Sequence, residues 1–367
     1  MSNSDLKIIV MDSMSEFGSL VNEHLNNLNG TNENYLINLK ASRFQNGEGK
    51  VKINETLRGK NVFILTDVGN YGVSYMLHGK EHFMSPDEHY QDIKRVICAI
   101  SGHANKVTVV MPMLYESRQH RRKGRESLDC ALALQELVRL GVDDIVTFDA
   151  HDENICNAIP DRPFENFYPT HMILGNIIEN EKECIDNLLV ISPDTGAMER
   201  ARYYADMLGC DVGLFYKRRD YSKIVDGKNP IVCHAYMGED VEGKNIIVVD
   251  DMISSGGSML EVCDELKKKG AKSIFLVATF ALFTEGIETF KKAYKEHKFN
   301  KLYSTNLTYV PDDVKKEEWF NSVDCSSQLA VILNTLNNNS SISHLFNGKE
   351  EIALKIKKVK EEIENVK

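Results

Sequence analysis

Residues 245–259 read NIIVVDDMISSGGSM. An apolar, β-branched run ends in two carboxylates, Asp250 and Asp251. Small residues follow: Ser254, Ser255, Gly256, Gly257 and Ser258. Glycines let a backbone come close to a ligand and adopt positive φ, and the serines add hydroxyl donors. A helix starting here turns its free N–H groups and positive dipole end toward the loop, which suits a phosphate. The two carboxylates repel a phosphate and suit hydroxyl donors or a bound Mg²⁺. A ligand with vicinal hydroxyls at one end and a phosphate at the other satisfies both halves, and ribose 5-phosphate is such a ligand. The loop is not a P-loop, because no Gly-Lys-Ser/Thr follows, and it is not a Gly-x-Gly-x-x-Gly turn.

Two other polar clusters follow apolar runs. LLVIS at 188–192 leads into Pro193-Asp194-Thr195-Gly196 and a helix from about Ala197 to Leu208. DIVTF at 144–148 leads into Asp149-Ala150-His151-Asp152. Ligands of open α/β sheets sit beyond the carboxyl ends of the strands, so all three clusters are candidates to line one crevice.

The elements that must carry them have a regular pattern. Asn61–Thr66, Lys106–Met111, Asp144–Phe148, Leu188–Ser192, Asn245–Val249 and Ser273–Ala278 read as buried strands. Amphipathic stretches such as Ser127–Leu140 and Met259–Lys269 lie between them. This alternation predicts an α/β protein with parallel sheets covered by helices. The chain has 367 residues, which suggests two domains. The best boundary signal is Pro160-Asp161-Arg162-Pro163. Residues 68–87 read as a surface excursion; its His78 and His82, with His89 just beyond, fit a solvated loop better than a metal site. Ile352, Ile356, Val359, Ile363 and Val366 form an apolar stripe on a Lys/Glu-rich tail helix, which would pack on its own chain or a neighbour.

Composition narrows the partners. Net charge is −10, which argues against nucleic acid. The 8 cysteines are scattered, with no Cys-x-x-Cys pair, as expected for free thiols in a reducing compartment. The first residues lack a basic, apolar leader pattern and no run of about 18 apolar residues occurs, so a cytoplasmic protein without a membrane partner is expected.

At its Asp-Asp loop the chain resembles the phosphoribosyl pyrophosphate-binding motif of phosphoribosyltransferases and ribose-phosphate pyrophosphokinases. Other segments favour the second family. RFQNGE at 43–48 resembles its Arg-Phe-Ser-Asp-Gly-Glu, and residues 53–59 (INETLRG) follow in register. RQHRR at 118–122 resembles Arg-Gln-Asp-Arg-Arg, FDAH at 148–151 its histidine-bearing strand end, and SPDTG at 192–196 its Ser-Pro-Asp-x-Gly. KRR at 217–219 is similar to its flexible catalytic loop, and SSISHLF at 340–346 to its C-terminal region.

The resemblance implies two phosphoribosyltransferase-like domains, each with a mainly parallel sheet flanked by helices. Residues 1–166, completed by about 320–346, would form the ATP side and 167–319 the ribose 5-phosphate side. Residues 347–367 would be an extra tail helix. It implies transfer of the pyrophosphoryl group of MgATP to the 1-hydroxyl of ribose 5-phosphate, with Mg²⁺ as cofactor. Lys217 and Arg219 would be catalytic. Phe44, Asn46, Gly47, Glu48, Arg118 and Gln119 would contact ATP, with Phe44 stacking on adenine unless it is an ordinary core residue. His151 and Asp194 would bind the metal. Asp250, Asp251, Ser254, Ser255, Gly256, Gly257 and Ser258 would hold ribose 5-phosphate. Arg58 and Ser340–Ser343 resemble regulatory phosphate or ADP contacts. Family members supply the 44–48 segment from a neighbouring subunit, which implies a homo-oligomer, a hexamer or dimer. Ser254, Asn46 and His120 depart from the pattern, standing where the family usually has acids. Two alternatives fit parts of the sequence: a phosphoribosyltransferase that consumes the product, and a regulatory relative without catalysis.

Overall fold

A computed structural model of the chain describes residues 5–219, 231–346 and 348–366. The chain divides into two compact units. The first comprises Met1–Pro169, Asn306–Pro311 and Asp324–Phe346; the second comprises Thr170–Thr305, Asp312–Val323 and Asn347–Lys367.

In the first unit the chain runs β1 (Leu6–Val10), α1 (Ser15–Asn29), β2 (Leu39–Arg43), β3 (Gly49–Ile53), β4 (Asn61–Leu65), β5 (Ser74–Leu77), β6 (Lys80–Phe83) and α2 (Pro86–Ile100). Next come β7 (Lys106–Val110), α3 (Asp129–Arg139), β8 (Asp144–Phe148) and β9 (Phe164–Phe167). Among the described residues the strands of its central sheet lie in the order β1-β4-β7-β8-β9, every pairing parallel. Every residue of β4 and β8 is buried, as continuous apolar runs require in a covered parallel sheet. Ile93 and Val96 of α2 and Leu134 and Leu137 of α3 pack in the same core. Pro160 and Pro163 precede β9, so they fall inside this unit.

The excursion at 68–87 is an ordered hairpin rather than a loop. β5 and β6 pair antiparallel, with Tyr75 opposite His82. His78 and Gly79 form the tip with φ of 49° and 75°, the paired positive values that a tight two-residue hairpin turn needs. α2 starts directly afterwards with a capping box: the Ser85 side chain accepts from the Glu88 amide and Glu88 accepts from the Ser85 amide, while Pro86 occupies the first turn. His89 is buried on α2, its Nε2 2.7 Å from the Asn70 carbonyl.

The second unit contains α4 (Thr170–Asn180), β10 (Leu188–Ser192), α5 (Met198–Leu208), β11 (Asp211–Arg219), β12 (Ile231–Met237), β13 (Asn245–Ile253) and α6 (Gly257–Lys268). β14 (Ser273–Ala281), α7 (Glu288–Lys295), β15 (Lys301–Thr305), α8 (Asp312–Lys315) and β16 (Phe320–Val323) follow. Its strand order among the described residues is β12-β11-β10-β13-β14-β15-β16, with only β11–β12 antiparallel. β13 and β14 run past the ends expected at Val249 and Ala278. Their pairing continues to Ile253 opposite Ala281, because β14 offers partners along its whole buried length. Asp250 and Asp251 therefore stand in the strand, not in a loop.

Two late segments close the units. α9 (Ser326–Asn337) packs on α1 in the first unit, while α10 (Lys349–Val366) packs on α4 and α5 in the second. Ile352 and Val359 of the tail stripe are buried, and Lys355 donates to Glu179 at 2.9 Å, so the stripe packs on its own chain. Residues 306–311 are tied to the first unit by the buried Asp67. Its carboxylate accepts from the Tyr309 amide at 2.7 Å, the Gly69 amide at 2.8 Å and the Thr308 hydroxyl at 3.0 Å. Burial pushes this carboxyl up to about 6 against those bonds. Among the described residues no helix is long and apolar enough to cross a membrane, and Cys98, Cys130, Cys156, Cys184, Cys210, Cys263 and Cys325 are free thiols.

Candidate active site

The end of β13 carries the carboxylate pair. Asp251 is buried and Asp250 half-buried. Each turns one oxygen onto the next amide: Asp250 Oδ1 accepts from Asp251 N, and Asp251 Oδ1 from Met252 N, both at 2.9 Å. Burial, then the charge of Asp251, raises the Asp250 carboxyl well above the usual carboxylate range, against the pull of Arg200. Arg200 lies in the first part of α5, and sequence reasoning missed it. The signal available was its place just after the Ser-Pro-Asp-Thr-Gly turn. Asp194 sits in that turn, at the end of the neighbouring strand β10, and its Oδ1 accepts from the Gly196 and Ala197 amides at 2.8 and 3.2 Å.

Beyond β13 the chain enters α6 through Gly256. Its φ is 75°, and a Cβ added there would lie 2.1 Å from Phe290 Cζ. Gly257 differs: a Cβ there would meet only Ser255 Oγ, at 3.8 Å. One glycine is needed by the fold and the next faces open space at the helix N-terminus, where a phosphate can approach. Ser254 Oγ lies 2.9 Å from Thr284 Oγ1, so this hydroxyl, one of the departures from the resembled pattern, is tied to the segment after β14.

Gly256→Ala should therefore lower stability by about 2–4 kcal/mol, from positive φ and overpacking together. Gly257→Ala should leave the melting temperature within about 1–2 °C but weaken sugar-phosphate binding roughly tenfold, the loss of one charge-assisted contact. Thermal melts and calorimetry on the two variants separate the effects. A pH dependence follows as well. A carboxylate accepts hydroxyl protons only when ionised. Raised as it is, Asp250 gains its proton at a higher pH than an ordinary carboxyl, so ribose 5-phosphate affinity should begin to fall early as pH is lowered. Titrating affinity against pH checks this, and Asp250→Asn should abolish that inflection.

In the first unit, β2 and β3 are joined by the Phe44–Glu48 turn. Phe44 N donates to Glu48 O at 2.8 Å, and Asn46 Oδ1 accepts from Glu48 N at 3.2 Å. Gly47 has φ 91°. Phe44 is 55% exposed, which rules out a core role and leaves its ring available for stacking. Arg118 and Gln119 lie in a short 3₁₀ turn after β7, Arg118 exposed. Ser117 Oγ accepts from the His151 amide at 3.0 Å, which brings the RQHRR turn against the FDAH strand end. The His120 and His151 rings stand 5.3 Å apart, and His120 Nε2 is 3.2 Å from Asp152 Oδ2. Of the three clusters expected in one crevice, those of Asp194 and Asp250 share a sheet, whereas that of His151 belongs to the other unit's sheet.

Lys217 and Arg219 belong by backbone to β11, with Lys217 opposite His234 and a register shift between Arg218 and Arg219; their side chains lie outside the described residues. Arg58 is exposed before β4, and Ser341 Oγ donates to Ser343 Oγ at 3.2 Å after α9. Among the described residues no three His, Cys, Asp or Glu side chains are grouped as a metal site.

Residues 6–141 match the family described as the N-terminal domain of ribose phosphate pyrophosphokinase, and residues 164–308 match the phosphoribosyl transferase domain. Ribose-phosphate pyrophosphokinase of Ralstonia nicotianae is 31% identical over 288 residues, 78% of this chain and 81% of that protein. The Vibrio parahaemolyticus protein of the same name is 29% identical over 311 residues, 84% of this chain and 90% of that protein. In fold, the crystal structure of phosphoribosylpyrophosphate synthetase from Mycobacterium smegmatis matches with a TM-score of 0.74 at 23% identity, covering 92% of this chain and 100% of that one. The architecture is thus that of two phosphoribosyltransferase-like α/β domains in one chain. The chain belongs to the ribose-phosphate pyrophosphokinase family and is a transferase.

Proposed function

We propose that the chain transfers the β,γ-pyrophosphoryl group of MgATP to the 1-hydroxyl of ribose 5-phosphate, giving 5-phosphoribosyl 1-pyrophosphate and AMP. The observation that carries this reading is the paired Asp250 and Asp251 at the end of β13, directly before a helix that opens on Gly256 and Gly257. The carboxylates accept from the ribose hydroxyls. The loop from Ser254 to Ser258 and the first amides of α6 take the 5-phosphate.

The ribose 1-oxygen attacks the β-phosphorus, the bond from that phosphorus to the αβ-bridging oxygen breaks, and AMP leaves with that oxygen. The displaced hydroxyl proton goes to solvent. Such transfers depend on placement and charge neutralisation. Phe44, Asn46, Gly47, Glu48, Arg118 and Gln119 hold the nucleotide, and Lys217 and Arg219 bear on the charge of the moving group. When bound with the polyphosphate, Mg²⁺ would neutralise part of its charge. In chemical type the candidate donors fit it, each within its own unit: Asp194 is a carboxylate in an exposed turn of the second unit and His151 an exposed side chain of the first, and water and phosphate oxygens would complete the shell that this ion prefers. A homo-oligomer, hexamer or dimer, in the cytoplasm accords with the family and with the free thiols.

Incubation with Mg²⁺, ATP and ribose 5-phosphate tests the proposal. AMP should form only when both substrates are present. Absence of AMP across a range of phosphate and metal concentrations would refute it, and ribosylation of a free base from added phosphoribosyl pyrophosphate would favour a phosphoribosyltransferase instead.

A further inference from the structure

Glu88 and Asp92 stand four residues apart on α2 and so share a face. Each anchors a different ribbon. Asp92 holds the stem of the Phe44–Glu48 turn, its Oδ1 and Oδ2 accepting from Arg43 Nη1 and Nη2 at 2.9 and 2.6 Å. Glu88 holds the β5–β6 hairpin: the Tyr75 hydroxyl donates to its Oε1 at 2.6 Å, and His82 Nε2 lies 3.0 Å from its Oε2. Against a burial penalty, bonds from Tyr75, the Ser85 amide and His82 hold the Glu88 carboxyl down at about 2, so it stays an ionised acceptor at neutral pH.

The two ribbons then meet. The Arg43 guanidinium lies 5.3 Å from the centroid of the Tyr75 ring. A Cβ added at Gly47 would lie 3.2 Å from Leu77 Cδ1 and 3.8 Å from the Tyr75 hydroxyl. Leu77 thus backs the turn at its positive-φ residue, while Phe44, Asn46 and Glu48 remain exposed. A lone two-stranded ribbon is marginally stable in water, so the shape of this turn depends on what stands behind it.

We propose that the β5–β6 hairpin is a positioning element for the nucleotide, with Tyr75 and Leu77 as its positioning residues. They hold the Phe44–Glu48 turn from behind in the shape that meets the adenine nucleotide. The inference rests on the reading of that turn as a nucleotide contact.

Steady-state kinetics with ATP and ribose 5-phosphate varied separately test it. Tyr75→Ala and Leu77→Ala should raise KM for ATP about 5–20-fold, the cost of a displaced contact. The KM for ribose 5-phosphate and kcat should change less than about twofold, since these residues do not meet the reacting groups. Tyr75→Phe keeps the ring beneath Arg43 and should fall between wild type and Tyr75→Ala. Phe44→Ala serves as the control for the turn and should raise KM for ATP by itself. If Phe44→Ala leaves that KM unchanged, the reading of the turn fails and the inference with it. If Phe44→Ala raises it but Tyr75→Ala and Leu77→Ala do not, with melting temperatures held, the inference alone is overturned. A parallel loss for both substrates with a lowered melting temperature also overturns it, because the hairpin would then be only structural.

Discussion

Lys217→Ala is expected to lower turnover by about 10²–10³, the usual loss when one donor to developing transition-state charge is removed. Ribose 5-phosphate affinity should stay within about twofold, because a group that meets only the moving pyrophosphoryl adds nothing to ground-state sugar binding. The ladder of β11 is kept in the variant, since Lys217 pairs with His234 through the backbone. Single-turnover rates and calorimetric binding of the sugar phosphate measure the two quantities. A lost sugar-phosphate affinity would place Lys217 at the acceptor instead. Lys217→Arg should recover part of the rate, since it keeps the charge but presents a planar fork in place of a compact ammonium.

Asp251→Ala is the second large effect, and it should fall on binding. Two charge-assisted hydrogen bonds to ribose hydroxyls are together worth about 3 kcal/mol, so affinity for ribose 5-phosphate should drop roughly 100-fold. The Met252 amide also loses its acceptor, which should cost about 1–2 kcal/mol of stability. A further mark sets this variant apart. The charge of Asp251 is among the causes that raise the Asp250 carboxyl, so the pH inflection of Asp250 should move down toward the ordinary range. Affinity measured across pH for wild type and Asp251→Ala shows whether the two carboxylates act as a pair.

What was legible in the sequence was what is local. Runs such as NIIVV and LLVIS read as strands because both faces of a covered parallel sheet are apolar. The chemistry of Asp250 to Ser258 could be read because strand end, small residues and helix start follow one another directly. The ends of β13 and β14 were misplaced, since their extension depends on pairing between the two strands. The β5–β6 hairpin was hidden for a similar reason: four-residue strands carrying Lys, Glu and His gain their order from Glu88 on a helix. Asp67 gripping Thr308 and Tyr309 brings together residues far apart in the chain, which no spacing rule reveals. The charge of Arg200 on Asp250 is likewise set by tertiary structure, its place after the Ser-Pro-Asp-Thr-Gly turn being the one local sign of it. The exposure of Phe44 is likewise a tertiary fact, since an Arg-Phe dipeptide fits a core as readily as a surface.

Carbon-13 NMR reads directly which bond forms. Ribose 5-phosphate labelled at C1 is mixed with enzyme, Mg²⁺ and ATP, and the C1 resonance is followed alongside the phosphorus spectrum. Pyrophosphoryl transfer predicts that C1 shifts and gains coupling to a phosphorus that is itself part of a pyrophosphate, with one AMP released for each sugar converted. An unchanged C1 signal, or a single phosphate on O1 with ADP as the other product, would contradict it.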